Sequence, residues 1–147
     1  MNKVWYNAVM QLFVGAKGIV HYQGKVLLVR ESSQYADGTE VGKWDVVGGR
    51  IESGEKVRDA LVREVKEESG LDVVPADLVE VFDGFPAIKG EDCHVVRLYF
   101  FCEASSGEVV LSQDHDAYDW VSPDNIGDKI LMGDIKEMLV EFKSRKL

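Results

Sequence analysis

The sequence is poor in cysteine, proline and histidine, and the shortage of cysteine excludes whole classes of site. Its 147 residues include two cysteines, three prolines and three histidines. Cys93 and Cys102 match neither the spacing of a redox pair nor that of a zinc site, which argues against a disulfide framework and against a Cys/His metal site. We therefore predict a reduced, cytoplasmic chain in which both cysteines are small apolar residues in or beside a strand.

Long apolar runs and an excess of positive charge are also missing. No stretch reaches the length of a membrane span, and the segment from Met1 to Gly18 lacks the apolar centre and cleavage site of a signal peptide. The formal net charge of -9 argues against a dedicated nucleic-acid-binding protein, which would carry a basic face. An anionic small molecule stays compatible with this charge, because bound divalent cations can reverse the local sign of a site. We therefore expect neither a membrane nor double-stranded nucleic acid as a partner.

What the sequence does contain is the alternation typical of a small mixed domain. A length of 147 residues with 46% hydrophobic residues fits a single domain over 1–147. Apolar and branched residues predict a hairpin of two strands, 12–21 and 25–30, that turns at Gln23-Gly24. A polar loop should follow over 31–43, and Gly48-Gly49 indicates another. Further strands are predicted at 71–82, 93–103, 108–111 and 117–121.

Two helices are predicted among these strands. The first should begin near Ser53, a good N-cap residue, with Glu55 in its first turn and Gly70 just past its end. The second should begin near Asp134, because the apolar residues that follow are spaced for one helical face. The pattern predicts an α+β fold in which helices pack against a curved mixed sheet.

The first of these helices has glutamates on its inward face. Val57, Ala60, Leu61 and Val65 define an apolar stripe; at 100° per residue Glu64 and Glu68 fall within it and Glu67 lies at its edge. A Glu-rich helix is usually a solvated face, but here the carboxylates share the phase of the buried residues. Carboxylates turned inward repel each other and lose hydration. Such a cluster is tolerable if it binds cations, and hard oxygen ligands suit Mg²⁺ or Mn²⁺.

The same stretch resembles the signature of a known family. The segment Gly49–Leu71, GRIESGEKVRDALVREVKEESGL, matches the box of the Nudix (MutT-like) hydrolases, Gly-x5-Glu-x7-Arg-Glu-U-x-Glu-Glu-x-Gly-U, where U is a bulky aliphatic residue. Val65 and Leu71 fill the two U positions. The fixed positions are Gly49, Glu55, Arg63, Glu64, Glu67, Glu68 and Gly70.

The resemblance implies a fold, a cofactor and roles for the residues of the box. The fold is a Nudix-type α/β/α sandwich with a curved mixed sheet and a loop–helix–loop catalytic motif. Mg²⁺, with Mn²⁺ as a possible substitute, would be bound by Glu64, Glu68, Glu67 and the carbonyl of Gly48. Arg63 and Glu55 would be a supporting pair that orients helix and loop. Gly49 and Gly70 would meet backbone needs at the two ends of the motif.

Residues outside the box give weaker indications. Asp114, six residues before Trp120, stands where similar proteins carry an acidic metal ligand or base, and the alternative is a solvated loop residue. Its neighbour His115 could contact phosphate, although a lone loop histidine usually does not. Trp44 and Trp120 are interpreted as structural. Pro86 lies fifteen residues after Leu71, near an offset at which enzymes acting on ADP-ribose often carry proline.

Together these features predict a metal-dependent enzyme. Water would attack phosphorus and cleave a pyrophosphate bond in a nucleoside diphosphate linked to another group, such as a nucleoside triphosphate, a nucleotide sugar or an ADP-ribose-like molecule. The alternative is a Nudix domain of weak activity that serves as a nucleotide sensor or interaction module. Such modules usually lose box carboxylates, and this chain keeps all of them. The small nucleotide is the expected partner, and formation of a homodimer stays open.

Overall fold

A computed structural model describes residues 10–36 and 38–146 of the chain, which form two helices and eight strands within those ranges. The helices are α1 (Val57–Ser69) and α2 (Ile135–Arg145). The strands are β1 (Gln11–Tyr22), β2 (Lys25–Glu31), β3 (Trp44–Asp45), β4 (Val47–Arg50), β5 (Val73–Gly84), β6 (Ala87–Ile88), β7 (Glu91–Ala104) and β8 (His115–Val121).

The strands pair as a mixed sheet whose main path runs β3-β2-β1-β7-β5. The central pair, β1 with β7, is parallel from Gln11↔Cys93 to His21↔Glu103, and the other pairings are antiparallel. Strand β4 pairs with β1, and β8 pairs with β2. The predicted hairpin is confirmed: Gln23 and Gly24 both have positive φ, 51° and 77°, as a tight two-residue turn requires.

Each face of the sheet is covered by one helix, because strand residues alternate between the two sides. The α1 side buries Ala16, Val20, Leu61, Val65, Phe100 and Cys102. The α2 side buries Ile19, Leu28, Tyr99, Ile135, Met138 and Phe142. This is the α/β/α layering expected from the sequence, and the second helix begins next to the predicted Asp134. Neither helix of the described residues has the length and apolar content that a membrane span requires.

The start predicted for the first helix was wrong. Helix α1 begins at Val57, and its N-cap is Lys56 rather than Ser53. The preceding residues form a turn instead, in which the Glu52 and Glu55 backbones are hydrogen-bonded and Gly54 has a φ of 84°. A left-handed residue cannot continue a right-handed helix, so the helix starts after it. Gly70, with a φ of 73°, ends the helix as predicted.

Two assignments between the strands also need correction. Residues 108–111, predicted as a strand, are irregular and run past the end of α1, where Val110 N–H donates to the carbonyl of Ser69 and Ser112 N–H to that of Glu68. These residues therefore satisfy helix carbonyls rather than a strand ladder. Gly48-Gly49, interpreted as a loop, belongs to β4 and pairs with Lys17 and Ala16.

Candidate active site

The paired glycines of β4 meet the carboxylate end of α1. The Glu68 carboxylate accepts a hydrogen bond of 2.9 Å from the Gly48 N–H. Loss of hydration raises the pKa of Glu68 to about 8, although the Lys17 ammonium and the Gly48 N–H oppose that rise. The charge of nearby Glu64 adds to it. Glu68 is therefore a carboxylate short of compensating positive charge.

Glu64 lies directly against Gly49. A Cβ added to Gly49 would collide with the Glu64 carboxylate, so glycine at this position leaves the room that the carboxylate occupies. Burial is the largest cause of a raised pKa at Glu64, and the charge of Glu67 contributes, while Arg63 opposes both. The structure thus brings Glu64 and Glu68 together beside Gly48 and Gly49.

Arg63 connects three parts of the motif. Its Nε and Nη2 donate to the two oxygens of Glu55 at 2.7 and 2.8 Å, which is the bidentate geometry expected of this pair. Nη2 also donates to the carbonyl of Arg50 at 3.2 Å, and Nη1 donates to Glu64 at 2.9 Å. The Arg63 hydrogen bonds lower the pKa of Glu55 to about 2. The guanidinium therefore ties the turn before α1 to β4 and to the glutamates.

Glu67 stands apart from the other two glutamates. Its side chain is 59% exposed and contacts Arg63 Nη1 at 3.3 Å. Among the described residues, no three Asp, Glu, His or Cys side chains are arranged as a complete ligand set for a metal ion. The carboxylates that do converge are Glu64 and Glu68.

His115 is the first residue of β8, and Asp114 immediately precedes it. The Asp114 carbonyl accepts a hydrogen bond of 2.9 Å from Ser32 N–H, and its half-buried carboxylate has no hydrogen-bond or ion-pair partner among the described residues. Burial, followed by the charge of Lys17, lowers the pKa of His115. The Nδ1 of His115 is buried and lacks a partner within the same described ranges.

Comparison with known proteins identifies the family of this arrangement. The family model of the NUDIX domain matches residues 13–142, which extend from β1 through α1 into α2. The chain belongs to the Nudix family.

Relatives of this Nudix domain include both sequences and solved structures. "Nucleoside triphosphatase NudI" of Escherichia coli is 28% identical over 96 residues, which cover 58% of this chain and 65% of the relative. The MutT protein from Methanosarcina mazei Go1 superposes with a TM-score of 0.78 at 25% identity, over 92% of this chain and 96% of that one. An ADP-ribose pyrophosphatase from Streptococcus suis superposes with a TM-score of 0.67 at 25% identity, over 90% and 92%. The predicted α+β Nudix fold is confirmed.

The structure of the Nudix domain shows a buried, positively charged side chain, Lys17, that the sequence interpretation missed. Lys17 lies in the middle of β1, and its Nζ is 2.9 Å from the Asp45 carboxylate, with side chains only 13% and 17% exposed. Burial works against the charge on Lys17, but Asp45 and Glu68 outweigh it and raise its pKa. A single lysine inside the apolar run LFVGAKGIVHY was the signal that could have revealed it.

Beside these residues the Nudix domain opens into a cleft of about 460 Å³, a size typical of small-molecule sites. Its floor is polar, because the side chains of Lys17, Arg97 and Tyr99 come from alternating positions on β1 and β7. Burial and the nearby Asp45 and Asp134 carboxylates raise the pKa of Tyr99 to about 12. Apolar side chains line other parts of the cleft: Phe13, Phe85, Pro86, Ile88, Val95 and Met132.

Arg50, the residue after the paired glycines, supplies a further positive charge in the cleft. Its guanidinium stacks 3.7 Å above the Phe13 ring, and it has no ion-pair partner among the described residues. Four carboxylates, Glu31, Glu40, Asp45 and Asp134, also line the cleft, and the last two pair with Lys17 and Arg97. Arg50 is therefore the group in the cleft that best suits an anionic ligand.

Proposed function

We propose that this chain is a divalent-metal-dependent Nudix pyrophosphohydrolase that cleaves a pyrophosphate bond in a nucleoside diphosphate linked to another group. One observation carries the proposal: the carboxylates of Glu64 and Glu68 converge at the paired glycines that line the cleft, next to the Arg50 guanidinium. NudI is named a nucleoside triphosphatase and the Streptococcus suis relative an ADP-ribose pyrophosphatase, and both names describe cleavage of this bond type.

The residues present fit a divalent cation. Glu64 and Glu68 offer hard oxygen donors, and burial raises the pKa of each, because the contacts with Arg63, Lys17 and the Gly48 N–H do not fully replace the lost hydration. Glu67 and the carbonyl of Gly48 would add to these two ligands. Mg²⁺ usually retains several water molecules and binds through one or two carboxylates and the substrate phosphates, so a complete protein ligand set is not required. Such a cation supplies neutralisation of the charge that develops on the phosphate oxygens.

The chain's own residues supply the rest of the reaction environment. Arg63 holds Glu55, Glu64 and the Arg50 carbonyl in fixed relation, which orients the carboxylates. Arg50 places positive charge where the phosphates of a bound nucleotide would enter. Water attacks one phosphorus, the bridging P–O bond breaks, and the bridging oxygen leaves with the other phosphate. One water proton is released in the process.

The substrate is a nucleoside triphosphate, a nucleotide sugar or an ADP-ribose-like molecule, and Pro86 on the wall of the cleft does not decide among them. Cytoplasmic location and a homodimer stay predictions from the sequence. The alternative, a sensor of nucleotide ligands, would use the same cleft without turnover.

The test is a panel of nucleoside diphosphate derivatives, with products separated by chromatography in Mg²⁺ and in excess EDTA. We expect turnover that requires Mg²⁺ or Mn²⁺ and a loss of kcat of roughly 10²-fold or more in Glu64→Gln and in Glu68→Gln. Glu137→Gln, an exposed residue in the first turn of α2, is the matched control and should keep the wild-type rate. Full turnover in EDTA, or near-normal rates in both variants, contradicts the proposal. Binding of panel members without any turnover would establish the sensor instead.

A further inference from the structure

An arginine and an aspartate form a partly exposed ion pair on the floor of the cleft. Arg97, on β7, has its Nη2 3.2 Å from an oxygen of Asp134, the residue before α2. The two side chains are 33% and 22% exposed, and both line the cleft. The guanidinium extends over Gly84, where an added Cβ would lie 3.2 Å from Nη2, so glycine leaves space for it.

Most of the hydrogen-bonding capacity of this pair is unused. A guanidinium has five N–H donors, and among the described residues Arg97 directs side-chain donors only at Asp134. Its Nε is buried and has no partner in that part of the chain. Asp134 occupies a position where aspartate commonly caps a helix, yet its side chain makes no cap hydrogen bond. Both partners therefore keep capacity for a ligand.

The other ion pair on the floor of the cleft, Lys17 with Asp45, has fewer free hydrogen-bonding positions. One Asp45 oxygen accepts from Lys17 and the other accepts from the Val46 N–H at 2.7 Å. Both side chains are also less exposed than those of Arg97 and Asp134. The pair that can exchange its contact for one with a ligand is therefore Arg97 with Asp134.

An aromatic surface lies next to this pair along the chain. Phe85 follows Gly84, lines the cleft and is 67% exposed, while its ring stacks on His94 with centroids 4.7 Å apart and an interplanar angle of 18°. The stack on His94 holds the Phe85 ring in place, and an exposed, oriented ring is a surface on which a base can stack. A base stacked there would bring its edge toward the Arg97–Asp134 pair.

We propose that Arg97 and Asp134 read a carbonyl and its neighbouring N–H on the edge of the nucleobase, so that the site prefers guanine, hypoxanthine, uracil or thymine nucleotides over adenine or cytosine nucleotides. The proposal rests on the proposed function. Arg97 donates to the base carbonyl, while the Asp134 carboxylate accepts from the adjacent ring N–H. Adenine and cytosine present the reverse order, an amino group beside a bare ring nitrogen. The donors of Arg97 would then face the donors of the amino group, and the Asp134 carboxylate would face the ring nitrogen, which is also an acceptor.

A phosphate is a poorer match for the same pair. The Asp134 carboxylate, 3.2 Å from Arg97, would repel any phosphate that approached the guanidinium. Arg50 lies beside the paired glycines and has no carboxylate partner within the described residues, so it is better placed to meet phosphate. The Arg97 pair is therefore assigned to the base.

The experiment compares nucleotides that differ only at this edge. We expect kcat/KM for ITP to exceed that for ATP, and that for UTP to exceed that for CTP, by about tenfold or more. Asp134→Asn, which can donate as well as accept, should reduce both ratios to within about threefold, mainly by slowing the preferred nucleotides. Arg97→Gln should act in the same direction. Arg145→Gln, on the outer part of α2, is the control and should keep both ratios.

Two outcomes separate this inference from the proposed function. If no member of the panel of nucleoside diphosphate derivatives is hydrolysed either, the proposed function fails, and calorimetric binding of IDP against ADP to the unmodified protein still measures the base preference. Equal rates and equal affinities for both members of each nucleotide pair overturn the inference while leaving the hydrolase intact. Variants that slow ITP and ATP by the same factor also overturn it, because they would mark Arg97 and Asp134 as general binding residues.

Discussion

At the scale of single residues, Arg63 is the group on which the geometry of the glutamates depends. Its three nitrogens contact Glu55, Glu64, Glu67 and the Arg50 carbonyl at distances of 2.7 to 3.3 Å. A guanidinium can serve these acceptors at once because its donors form a rigid fork, whereas an ammonium is a single compact donor group. The position therefore demands the shape of arginine as well as its charge.

The prediction from this contact set is that Arg63→Lys lowers activity and raises the metal concentration needed for half-maximal rate. The charge is kept, but the bidentate contact with Glu55 cannot be copied, so Glu64 loses its orientation. Mg²⁺ titrations of wild type and variant, run side by side, measure the effect. Arg58→Lys, elsewhere on α1, is the control, and superimposable curves for wild type and Arg63→Lys would refute the orienting role.

Asp114 carries a separate prediction. Its carboxylate is half-buried and has no partner among the described residues, and its charge acts on His115. We expect Asp114→Asn to lower kcat more than it raises KM, which marks a group acting in the transition state rather than in binding. Steady-state kinetics on the best panel substrate decide this, and an unchanged kcat would return Asp114 to the role of a solvated loop residue.

The sequence predicted that Glu64 and Glu68 lie on one face of a helix, but it did not predict the charged pairs of the cleft, for a physical reason. Glu64 and Glu68 share one helix, so their spacing alone fixes their common face. Lys17, Asp45, Arg97 and Asp134 lie on separate elements, and their proximity depends on strand pairing and on how α2 meets the sheet. Spacing along the chain carries no information about that arrangement.

At the scale of elements, the pairing of β4 with β1 places the two glycines under different constraints. Gly48 has a φ of 138°, and a Cβ there would collide with the Ala16 carbonyl on β1. At Gly49 the obstacle is the end of the flexible Glu64 side chain. The sheet therefore requires glycine at Gly48, which also contacts Glu68, whereas Gly49 makes room for the Glu64 carboxylate.

Alanine substitutions should separate these two roles. Gly48→Ala should lower the free energy of unfolding by about 1–3 kcal/mol, because both the left-handed backbone and the rigid neighbour resist a side chain. Gly49→Ala should displace Glu64 and lower kcat by about tenfold or more, while the free energy of unfolding changes by less than about 1 kcal/mol. Urea denaturation and kinetics on both variants measure this. Equal losses of stability at the two positions would contradict the distinction.

The errors in the elements have the same origin as the missing cleft residues. Ser53 has the composition of an N-cap, but the ion pair of Glu55 with Arg63 and the left-handed Gly54 close a turn before the helix. Residues 108–111 look like a strand, but their backbone groups meet carbonyls at the end of α1. In the first case a contact distant along the chain overrides the N-cap preference of Ser53, and in the second it overrides the strand preference of residues 108–111.

At the scale of the whole molecule, one sheet carries two apolar cores, with α1 on one face and α2 on the other. Alternate residues of β1 supply both cores: Ala16 and Val20 face α1, and Ile19 faces α2. A strand shared in this way makes each core depend on the other, since neither helix can dock unless β1 is in place.

The chain should therefore unfold in a single cooperative transition, as the predicted single domain over 1–147 requires. Trp44 packs against the core on the α2 side, and Trp120 packs against the core on the α1 side. Thermal unfolding followed by tryptophan fluorescence should superimpose on unfolding followed by far-ultraviolet circular dichroism. Two separated midpoints would show that the faces melt independently.

The parallel pairing of β1 with β7 has a consequence for how the protein is made. Gln11 pairs with Cys93, about 80 residues further along the chain, and β1 is a central strand of the sheet. During synthesis on the ribosome the first hairpin therefore emerges long before its partner strand, with one edge of β1 lacking a neighbour. Closing so long a loop is slow, and an edge left open in the meantime can pair with another chain. The sheet can form only when translation has reached the end of β7. A ribosome that stalls shortly before that point would therefore leave an aggregation-prone intermediate that chaperones can bind.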